Sequence, residues 1–250
     1  MGKMKALEIR GLEVTFRAGR RPPVHAVRGV DLSVEENEVV GFLGPNGAGK
    51  TTVIHVLLGF IEPSRGEAMV FGMDVRRSIA RQRIGYLPEH PQLYRFLTGR
   101  ELLTYSGRLF GLKGGSLRDA VEHMLEFTGL GEAADRKISS YSRGMMQRIG
   151  IAQALINDPD LVILDEPTSG LDPLGRMEIR RMISDLKARG KTVFFSSHEL
   201  SEVELVSDRV VILSSGKVVA EGRIEDLVPA GKRLEQYFVE LVSDSREAVG

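Results

Sequence analysis

The chain has 250 residues, its 34 lysines and arginines are balanced by 34 aspartates and glutamates, and it contains no cysteine. This length accommodates one large domain, or a domain with an inserted subdomain. A neutral chain provides no overall field to attract nucleic acid or anionic lipid, and the lack of cysteine excludes disulfides and thiolate metal sites. No apolar run approaches the roughly 18 residues that span a bilayer. The first residues also lack the apolar core of a signal peptide, so we expect a cytosolic protein.

The N-terminal part of the chain predicts β-strands. Apolar residues alternate in part over residues 6–16 and cleanly at Val30, Leu32 and Val34, so we predict strands over 6–16 and 24–43. The basic residues 17–23 include glycine and two prolines and predict a turn-rich loop between them. The second strand region ends in a fully apolar run directly before a glycine-rich segment.

That glycine-rich segment reads Gly-Pro-Asn-Gly-Ala-Gly-Lys-Thr and matches the whole G-x-x-x-x-G-K-[ST] pattern of a phosphate-binding loop. Backbone N–H groups of such a loop cup the phosphates, and the next helix directs its positive end at them. Lys50 can reach the β and γ oxygens, and the Thr51 hydroxyl can bind Mg²⁺. A chance match of a glycine-rich turn is the alternative, whereas a dinucleotide site is disfavoured because its G-x-G-x-x-G turn has no lysine. The residues predicted to contact nucleotide are Gly44, Pro45, Asn46, Gly47, Ala48, Gly49, Lys50, Thr51 and Thr52.

Helical patterns follow two further short strands, which we predict over residues 67–75 and 83–87. Thr98-Gly-Arg-Glu101 is a capping box that begins a helix. A second helical pattern runs from Ser116 to about Leu130, and a third begins after Ser142 and reaches about Ile156. We therefore predict an α/β core with a helical insert that is centred on residues 96–140 and bounded at about 90–155.

Asp165 and Glu166 follow an apolar run over residues 161–164, which is typical of a strand buried on both faces of a parallel sheet. Ligands of open α/β sheets collect at the carboxyl edge, and a carboxylate at a buried strand end requires a polar partner. We expect Asp165 to hold Mg²⁺, through water, and Glu166 to be the general base for an attacking water. The alternative is that both acids cap the next helix.

His198 follows the next predicted strand, residues 192–195, and is therefore expected at the same sheet edge. An imidazole at that edge would donate to a γ-phosphate oxygen and sense its loss. The alternative is that His198 caps a helix beginning at Glu199. Residues 209–220 predict a hairpin, and the tail from about Glu225 predicts an amphipathic helix with a polar end.

These motifs, in this order, resemble the ATP-binding subunits of ATP-binding cassette (ABC) transporters. The segment Tyr141-Ser-Arg-Gly-Met145 is similar to the family signature, Ser169-Gly-Leu-Asp172 to the loop after the acidic pair, and His198 to the switch histidine. The similarity covers about residues 6–222. It implies an α/β fold: a P-loop NTPase core with a mixed, largely parallel sheet, an N-terminal antiparallel β subdomain and an inserted α-helical subdomain. It also implies one domain over residues 1–225 and a short helical tail over 226–250.

In the family that the chain resembles, two subunits pair head to tail around two ATP, and the signature helix of one faces the phosphate loop of the other. The resemblance therefore assigns Ser142 and Gly144 to ATP bound by a partner, and a helix begun at Ser142 offers free N–H groups to an anion. Ordinary helix capping is the alternative. Phe16 corresponds to the aromatic residue that stacks on adenine, with a core position in a strand as the alternative. Asp172 corresponds to the aspartate that communicates between the two sites.

Three positions depart from the family pattern. Glu89 stands where glutamine is usual and offers Mg²⁺ an oxygen with an added charge, so the expected metal ligands are Thr51, Glu89 and Asp165. Arg143 replaces a glycine and would strengthen the anion site. Met145 replaces a glutamine and cannot hydrogen-bond as glutamine does.

The resemblance implies a subunit that binds and hydrolyses ATP with Mg²⁺, using Lys50, Glu166 and His198 in catalysis. The expected partners are a separate membrane permease, with transport in the export direction, and a second ATPase subunit, taken to be a copy of this chain; nucleic acid is not expected. The expected location is cytoplasmic, at the inner face of the cell membrane. The alternative is a non-transport ABC ATPase of DNA repair, chromosome organisation or translation. A GTPase is disfavoured because no Asn-Lys pair is present to read guanine, and a small-molecule kinase leaves the signature segment unexplained.

Overall fold

The structure is a computed structural model and describes residues 4–17, 19, 22–229 and 232–247. Within these residues the strands are β1 (Lys5–Phe16), β2 (Val24–Glu35), β3 (Val39–Leu43), β4 (Arg65–Val70), β5 (Met73–Asp74), β6 (Ile84–Leu87), β7 (Leu161–Leu164), β8 (Thr192–Ser197), β9 (Arg209–Ser214) and β10 (Lys217–Gly222). The helices are α1 (Lys50–Leu57), α2 (Ser78–Arg81), α3 (Gly99–Leu109), α4 (Gly114–Phe127), α5 (Arg143–Leu155), α6 (Pro173–Ala188), α7 (Leu200–Val206), α8 (Ile224–Leu227) and α9 (Leu234–Glu247).

The strands form two sheets. An antiparallel sheet has the order β2-β1-β4-β5, and a second sheet has the order β10-β9-β3-β8-β7-β6. In the second sheet, β9, β3, β8, β7 and β6 run parallel, while β10 is antiparallel to β9. The predicted α/β fold, with a mixed, largely parallel sheet and an N-terminal antiparallel β subdomain, is therefore confirmed.

Strands β3, β7 and β8 are buried along their whole length. Their sequences, Val-Val-Gly-Phe-Leu, Leu-Val-Ile-Leu and Thr-Val-Phe-Phe-Ser-Ser, show no alternation of apolar and polar residues because both faces of the parallel sheet are covered. The hydroxyl residues of β8 stand at its two ends. Since β3, β8 and β7 are neighbours and run parallel, the segments after them meet at one edge. This edge carries the phosphate loop, the acidic pair and His198.

The helical insert lies between β6 and β7 in the chain and contains α3, α4 and α5. The capping box predicted at α3 is present: the Glu101 N–H donates to the Thr98 hydroxyl at 3.1 Å, and the Thr98 N–H donates to the Glu101 carboxylate at 2.8 Å. Helix α4 buries Leu117, Val121 and Leu125, which stand one helical turn apart. The three helices pack on one another through a common apolar cluster that continues into the parallel sheet.

Several predicted elements were wrong in their extent. The predicted strand over residues 24–43 is two strands in different sheets, because Asn37 adopts a left-handed conformation (φ 59°) in the turn between β2 and β3. The predicted strand over 67–75 is the pair β4 and β5, which reverses at Phe71 and Gly72. The short helix α2 was not predicted.

The C-terminal tail also differs from the single helix that the sequence predicts from about Glu225. It contains the short helix α8 and then α9, whose Leu234, Tyr237, Phe238 and Leu241 pack against the main apolar cluster. Residues 248–250 of the predicted polar end and residues 18, 20 and 21 of the predicted basic loop lie outside the described residues. Of the helices that the structure describes, none combines the length and the apolar composition needed to cross a bilayer.

Candidate nucleotide site

The phosphate loop connects the end of β3 to α1 and is shaped by close contacts with two neighbouring strands. A Cβ atom on Gly49, where φ is 108°, would lie 2.5 Å from the Ala26 carbonyl oxygen of β2. A Cβ on Gly44 would lie 2.4 Å from the Leu213 carbonyl oxygen of β9. Glycine is therefore required at both positions, at Gly49 by conformation as well as by space.

Lys50 begins α1 and is only 7% exposed. Its Nζ donates to the Gly44 carbonyl oxygen at 2.7 Å and lies 3.2 Å from Oε1 of Glu166. A buried ammonium requires such partners, because an unpaired charge in a desolvated site is strongly destabilising. The predicted catalytic lysine and predicted general base are thus in direct contact, although they are far apart in sequence.

Asp165 is 2% exposed and accepts two hydroxyl hydrogen bonds. The Thr51 hydroxyl donates to its Oδ2 at 3.1 Å, and the Ser196 hydroxyl donates to its Oδ1 at 2.5 Å. Ser196 Oγ also accepts from the Glu166 N–H at 2.9 Å. The charge of Asp165 also acts on Tyr86. Burial, which is the larger cause, and the negative charge of Asp165 together raise the pKa of Tyr86 to about 12.

Ser196 is a site residue that the sequence analysis missed. The parallel register pairs Leu164 of β7 with Phe195 of β8, so the next residue on each chain segment, Asp165 and Ser196, are neighbours. The available signal was the pair Ser196-Ser197 at the end of a buried strand. The position of Ser196 relative to Asp165 depends on the strand register, which periodicity does not give.

The oxygen atoms of Thr51 and Asp165 fit the predicted magnesium site. The Thr51 hydroxyl oxygen and Oδ2 of Asp165 lie 3.1 Å apart, and Thr51 and Glu89 line one cavity. Hydroxyl and carboxylate oxygens are hard ligands of the kind Mg²⁺ prefers. In the described part of the chain no three His, Cys, Asp or Glu residues cluster as a complete metal cage. That arrangement suits Mg²⁺, which is usually held by one or two carboxylates together with water and substrate phosphates.

Glu166 joins Lys50 to His198. Its Oε2 accepts from the His198 N–H at 3.2 Å and lies 2.7 Å from His198 Nδ1, while Oε1 faces Lys50. Glu166 has φ 49°, a left-handed conformation that costs a non-glycine residue of order 1–3 kcal/mol. Such strain is retained where the surroundings fix the residue, and here both carboxylate oxygens are held.

The helix-capping alternatives for these residues were wrong. Helix α6 is capped by Asp172, whose Oδ1 accepts from the Gly175 N–H at 2.8 Å, and therefore not by Asp165 or Glu166. Helix α7 has Glu199 at its N-cap and no side-chain cap, so His198 does not cap it. All three side chains instead meet at the sheet edge, as the functional interpretation predicts.

A cavity of about 440 Å³ opens at this edge. It is bordered by residues 45–52 and by five residues from elsewhere in the chain: Ala26, Glu89, Glu166, Ser169 and His198. The cavity therefore combines phosphate-binding backbone, a buried ammonium and a carboxylate. This is the chemistry that a nucleoside triphosphate and a hydrolytic water require.

Six predicted site residues do not line this cavity. Two of them, Gly44 and Asp165, contact the lining residues Lys50 and Thr51. The remaining four are Phe16, Ser142, Gly144 and Asp172. Ser142 is exposed and caps α5, where it accepts from the Met145 N–H at 3.2 Å, and Gly144 follows in the first turn of that helix. Phe16 is 43% exposed at the end of β1, so its alternative assignment to the core was wrong. Asp172 caps α6. Their predicted roles toward adenine, a partner's ATP and the second site stay predictions.

Arg143, which replaces a glycine of the family signature, packs on another loop of the same chain. Its guanidinium lies against Gly170, where an added Cβ would be 2.4 Å from the guanidinium carbon. Gly170 has φ 64° and belongs to the segment 169–172 that follows the acidic pair. Met145, which stands where the family has a glutamine, packs its side chain against the apolar cluster of the helical insert.

A family model described as "ABC transporter" matches residues 27–169, which is more than half of the chain. The chain belongs to the ABC transporter family. It is 48% identical over 221 residues to an uncharacterized ABC transporter ATP-binding protein of Nostoc sp., covering 87% of this chain and 66% of that relative. It is 41% identical over 217 residues to the Nod factor export ATP-binding protein I of Rhizobium meliloti, covering 86% and 64% of the two chains. The chain thus spans about two thirds of the length of each relative.

A solved structure of the ABC family shares the fold. The chain matches the dimeric post-hydrolysis state of the ATP-binding cassette MJ0796, bound to ADP and Pi, with a TM-score of 0.79 and 26% identity. The match covers 87% of this chain and 98% of that cassette. The fold around the candidate nucleotide site is therefore that of an ATP-binding cassette.

Proposed function

We propose that this ABC family member binds and hydrolyses ATP as the ATP-binding subunit of a transporter. The observation that carries the proposal is the position of Glu166 between Lys50 and His198, beside the Thr51–Asp165 pair. A phosphate loop alone would support binding. A carboxylate held from both sides at the same cavity supplies the group that hydrolysis requires.

Each residue has a defined part in the proposed reaction. Backbone N–H groups of the loop and the N-terminus of α1 bind the triphosphate, and Lys50 turns from Gly44 and Glu166 to the β and γ oxygens. Water attacks the γ-phosphorus as the bond to the bridging oxygen breaks, which yields ADP and phosphate. Glu166 accepts the water proton, and His198 keeps its carboxylate in place. Mg²⁺, held by Thr51 and Asp165 with Glu89 at the cavity, would neutralise charge on the phosphate oxygens.

We propose a head-to-tail dimer of two copies, each completing the nucleotide site of the other. Ser142 is exposed at the N-cap of α5, and it is not among the residues of its own chain's cavity. A helix N-terminus is well suited to an anion. The dimeric state of the structurally similar cassette supports this assembly.

The proposed permease contact is on the helical insert. Aromatic and leucine side chains are exposed near α3 and the segment before it: Tyr94, Phe96, Tyr105, Leu109 and Phe110. Tyr94 packs on Phe96 and on Tyr105, with ring centroids 5.8 Å and 6.0 Å apart. An exposed cluster of apolar side chains such as Tyr94, Phe96 and Tyr105 is typical of an interaction surface. This cluster follows β6 and Glu89 in the chain, so the proposed contact is close in sequence to a residue that lines the cavity. The proposed direction of transport is export, which is supported by the similarity to the Nod factor export ATP-binding protein. Binding to a permease would place the subunit on the cytoplasmic face of the membrane.

Phosphate release from ATP by the purified chain tests the proposed function. We expect Mg²⁺-dependent hydrolysis that is lost in Lys50→Ala, because no other ammonium contacts Glu166 and the loop in the described structure. Lys217→Ala, at an exposed position of β10, is the matched control and keeps the wild-type rate. Hydrolysis by Lys50→Ala at the wild-type rate, or none by the wild type, contradicts the proposal. Purification from native membranes should additionally recover a multi-span membrane protein.

A further inference from the structure

We infer that Arg176 is a positioning residue that couples the loop 169–172 to the segment carrying His198. The inference rests on the proposed ATP hydrolysis and goes beyond it by assigning a residue outside the cavity. Arg176 lies in the first turn of α6, just after loop 169–172. It is far in the sequence from the phosphate loop. None of the sequence motifs contains it.

The side chain of Arg176 joins two segments that flank the site. Its Nε donates to the Leu171 carbonyl oxygen at 3.1 Å, and its Nη1 donates to the carboxylate of Glu199. Leu171 directly precedes Asp172, and Glu199 directly follows His198. The backbone N–H of Arg176 also donates to the Asp172 carbonyl oxygen at 3.0 Å, so the backbone at Arg176 is tied to the end of the loop.

The two contacts of Arg176 connect the position of loop 169–172 to the position of Glu199, which is more than is needed to hold two helices together. A guanidinium is a rigid planar fork, so a shift of the Leu171 carbonyl moves the Glu199 carboxylate with it. His198 is the neighbour of Glu199 and contacts the carboxylate of Glu166 at 2.7 Å. Displacement of loop 169–172, which the proposed partner copy would contact, is thereby transmitted to the general base.

One helical turn further along α6, Arg180 provides a matched comparison. It binds both carboxylate oxygens of Glu202 on α7, at 2.7 Å and 2.8 Å, and so also ties α6 to α7. The described contacts of Arg180 include neither loop 169–172 nor a neighbour of His198. If Arg176 only stabilised the packing of these helices, both arginines would have the same effect on activity at equal loss of stability.

The test measures kcat, KM for ATP and the thermal unfolding midpoint for Arg176→Ala, Arg176→Lys, Glu199→Ala and the double variant Arg176→Ala/Glu199→Ala. The control is Arg180→Gln with Glu202→Gln, which removes the second ion pair without leaving an unpaired buried charge. We expect Arg176→Ala to lower kcat by about tenfold to a hundredfold with KM nearly unchanged, as misplacement of a catalytic group does. The double variant should be no slower than Arg176→Ala alone, because both changes break the same link. Arg176→Lys should recover part of kcat, since an ammonium can bind one of the two segments.

The control variant should keep the wild-type kcat even if its unfolding midpoint falls. Two results would overturn the inference: a wild-type kcat in Arg176→Ala, or an equal loss of kcat in Arg176→Ala and in the control at equal stability. A wild-type chain that releases no phosphate from ATP would instead overturn the proposed function, and this inference with it.

Discussion

The Nδ1 atom of His198 lies 2.7 Å from Oε2 of Glu166, and the same carboxylate meets Lys50 through its other oxygen. Three residues that follow three neighbouring parallel strands are thereby joined in one chain of contacts. The carboxylate is held by a cation on one side and by an imidazole and a backbone N–H on the other. Substitutions of the residues in this series of contacts are expected to have separable effects on ATP binding and hydrolysis.

Glu166→Gln should lower turnover by about 10²–10⁴ while ATP binding is retained, because the amide keeps the size of the side chain and cannot accept the water proton. Single-turnover hydrolysis and equilibrium binding of ATP would measure the two properties separately. Glu132→Gln, at an exposed position, is the control and should behave as the wild type. Turnover near the wild-type rate in Glu166→Gln would exclude the general-base role.

Ser142→Arg should prevent ATP-dependent dimer formation and hydrolysis, yet spare weak binding of ATP by the single chain. The reason is that Ser142 caps α5 away from its own cavity, so the bulky cation would obstruct a partner's phosphates. Light scattering with and without ATP reports dimerisation. Ser140→Arg, two residues earlier and also exposed, is the control.

Mixing inactive subunits tests the shared site directly. A mixed dimer of Lys50→Ala and Ser142→Arg chains contains one site with an intact lysine and an intact serine, because the two changes fall together in the other site. We expect the mixture to hydrolyse ATP although each variant alone does not. Full-rate hydrolysis by Ser142→Arg on its own would contradict the shared site.

Ser196→Ala should lower the free energy of unfolding by about 1–3 kcal/mol, since it removes a donor to Asp165 and leaves the Glu166 N–H without its acceptor. Denaturant unfolding measures this loss. Ser106→Ala is a matched control, because Ser106 is equally buried and its hydroxyl has no partner among the described residues. The control should be close to neutral, and an equal cost for both variants would refute the role assigned to Ser196.

Chelation of Mg²⁺ should abolish hydrolysis, and Asp165→Asn should raise the Mg²⁺ concentration that half-restores it. The amide keeps an oxygen but loses the charge that a hard divalent cation prefers. Asp119→Asn, on the exposed side of α4, is the control and should titrate as the wild type. An unchanged Mg²⁺ titration in Asp165→Asn would rule out the proposed ligand.

The residues that the sequence located correctly are those tied to strand ends. Lys50, Glu166 and His198 were predicted at one edge because their strands read as buried and parallel, and parallel strands share a carboxyl edge. Ser196 was not found, because its place beside Asp165 depends on a register of one residue between β7 and β8. Arg176 was not found either, because the segments it joins meet only in three dimensions.

The errors in the predicted elements have local causes. The region 24–43 was predicted to be strand throughout, and its division between two sheets is produced by a three-residue turn whose key feature is the left-handed Asn37. The sequence did carry a signal for this turn, because Asn37 lies in the polar run Glu35-Glu36-Asn37-Glu38 and asparagine tolerates a left-handed conformation. The predicted role of Phe16 toward adenine cannot follow from periodicity. Alternation in a strand predicts which face of the sheet a side chain lies on, but not which ligand it contacts.

The contact between Lys50 and Glu166 has a consequence for how nucleotide enters. Because the ammonium already has an anion beside it, a triphosphate that binds as proposed replaces one negative partner of Lys50 by another. Under the proposed function, the Glu166 carboxylate and the phosphates of ATP compete for the same ammonium, so binding of ATP would also free that carboxylate from Lys50.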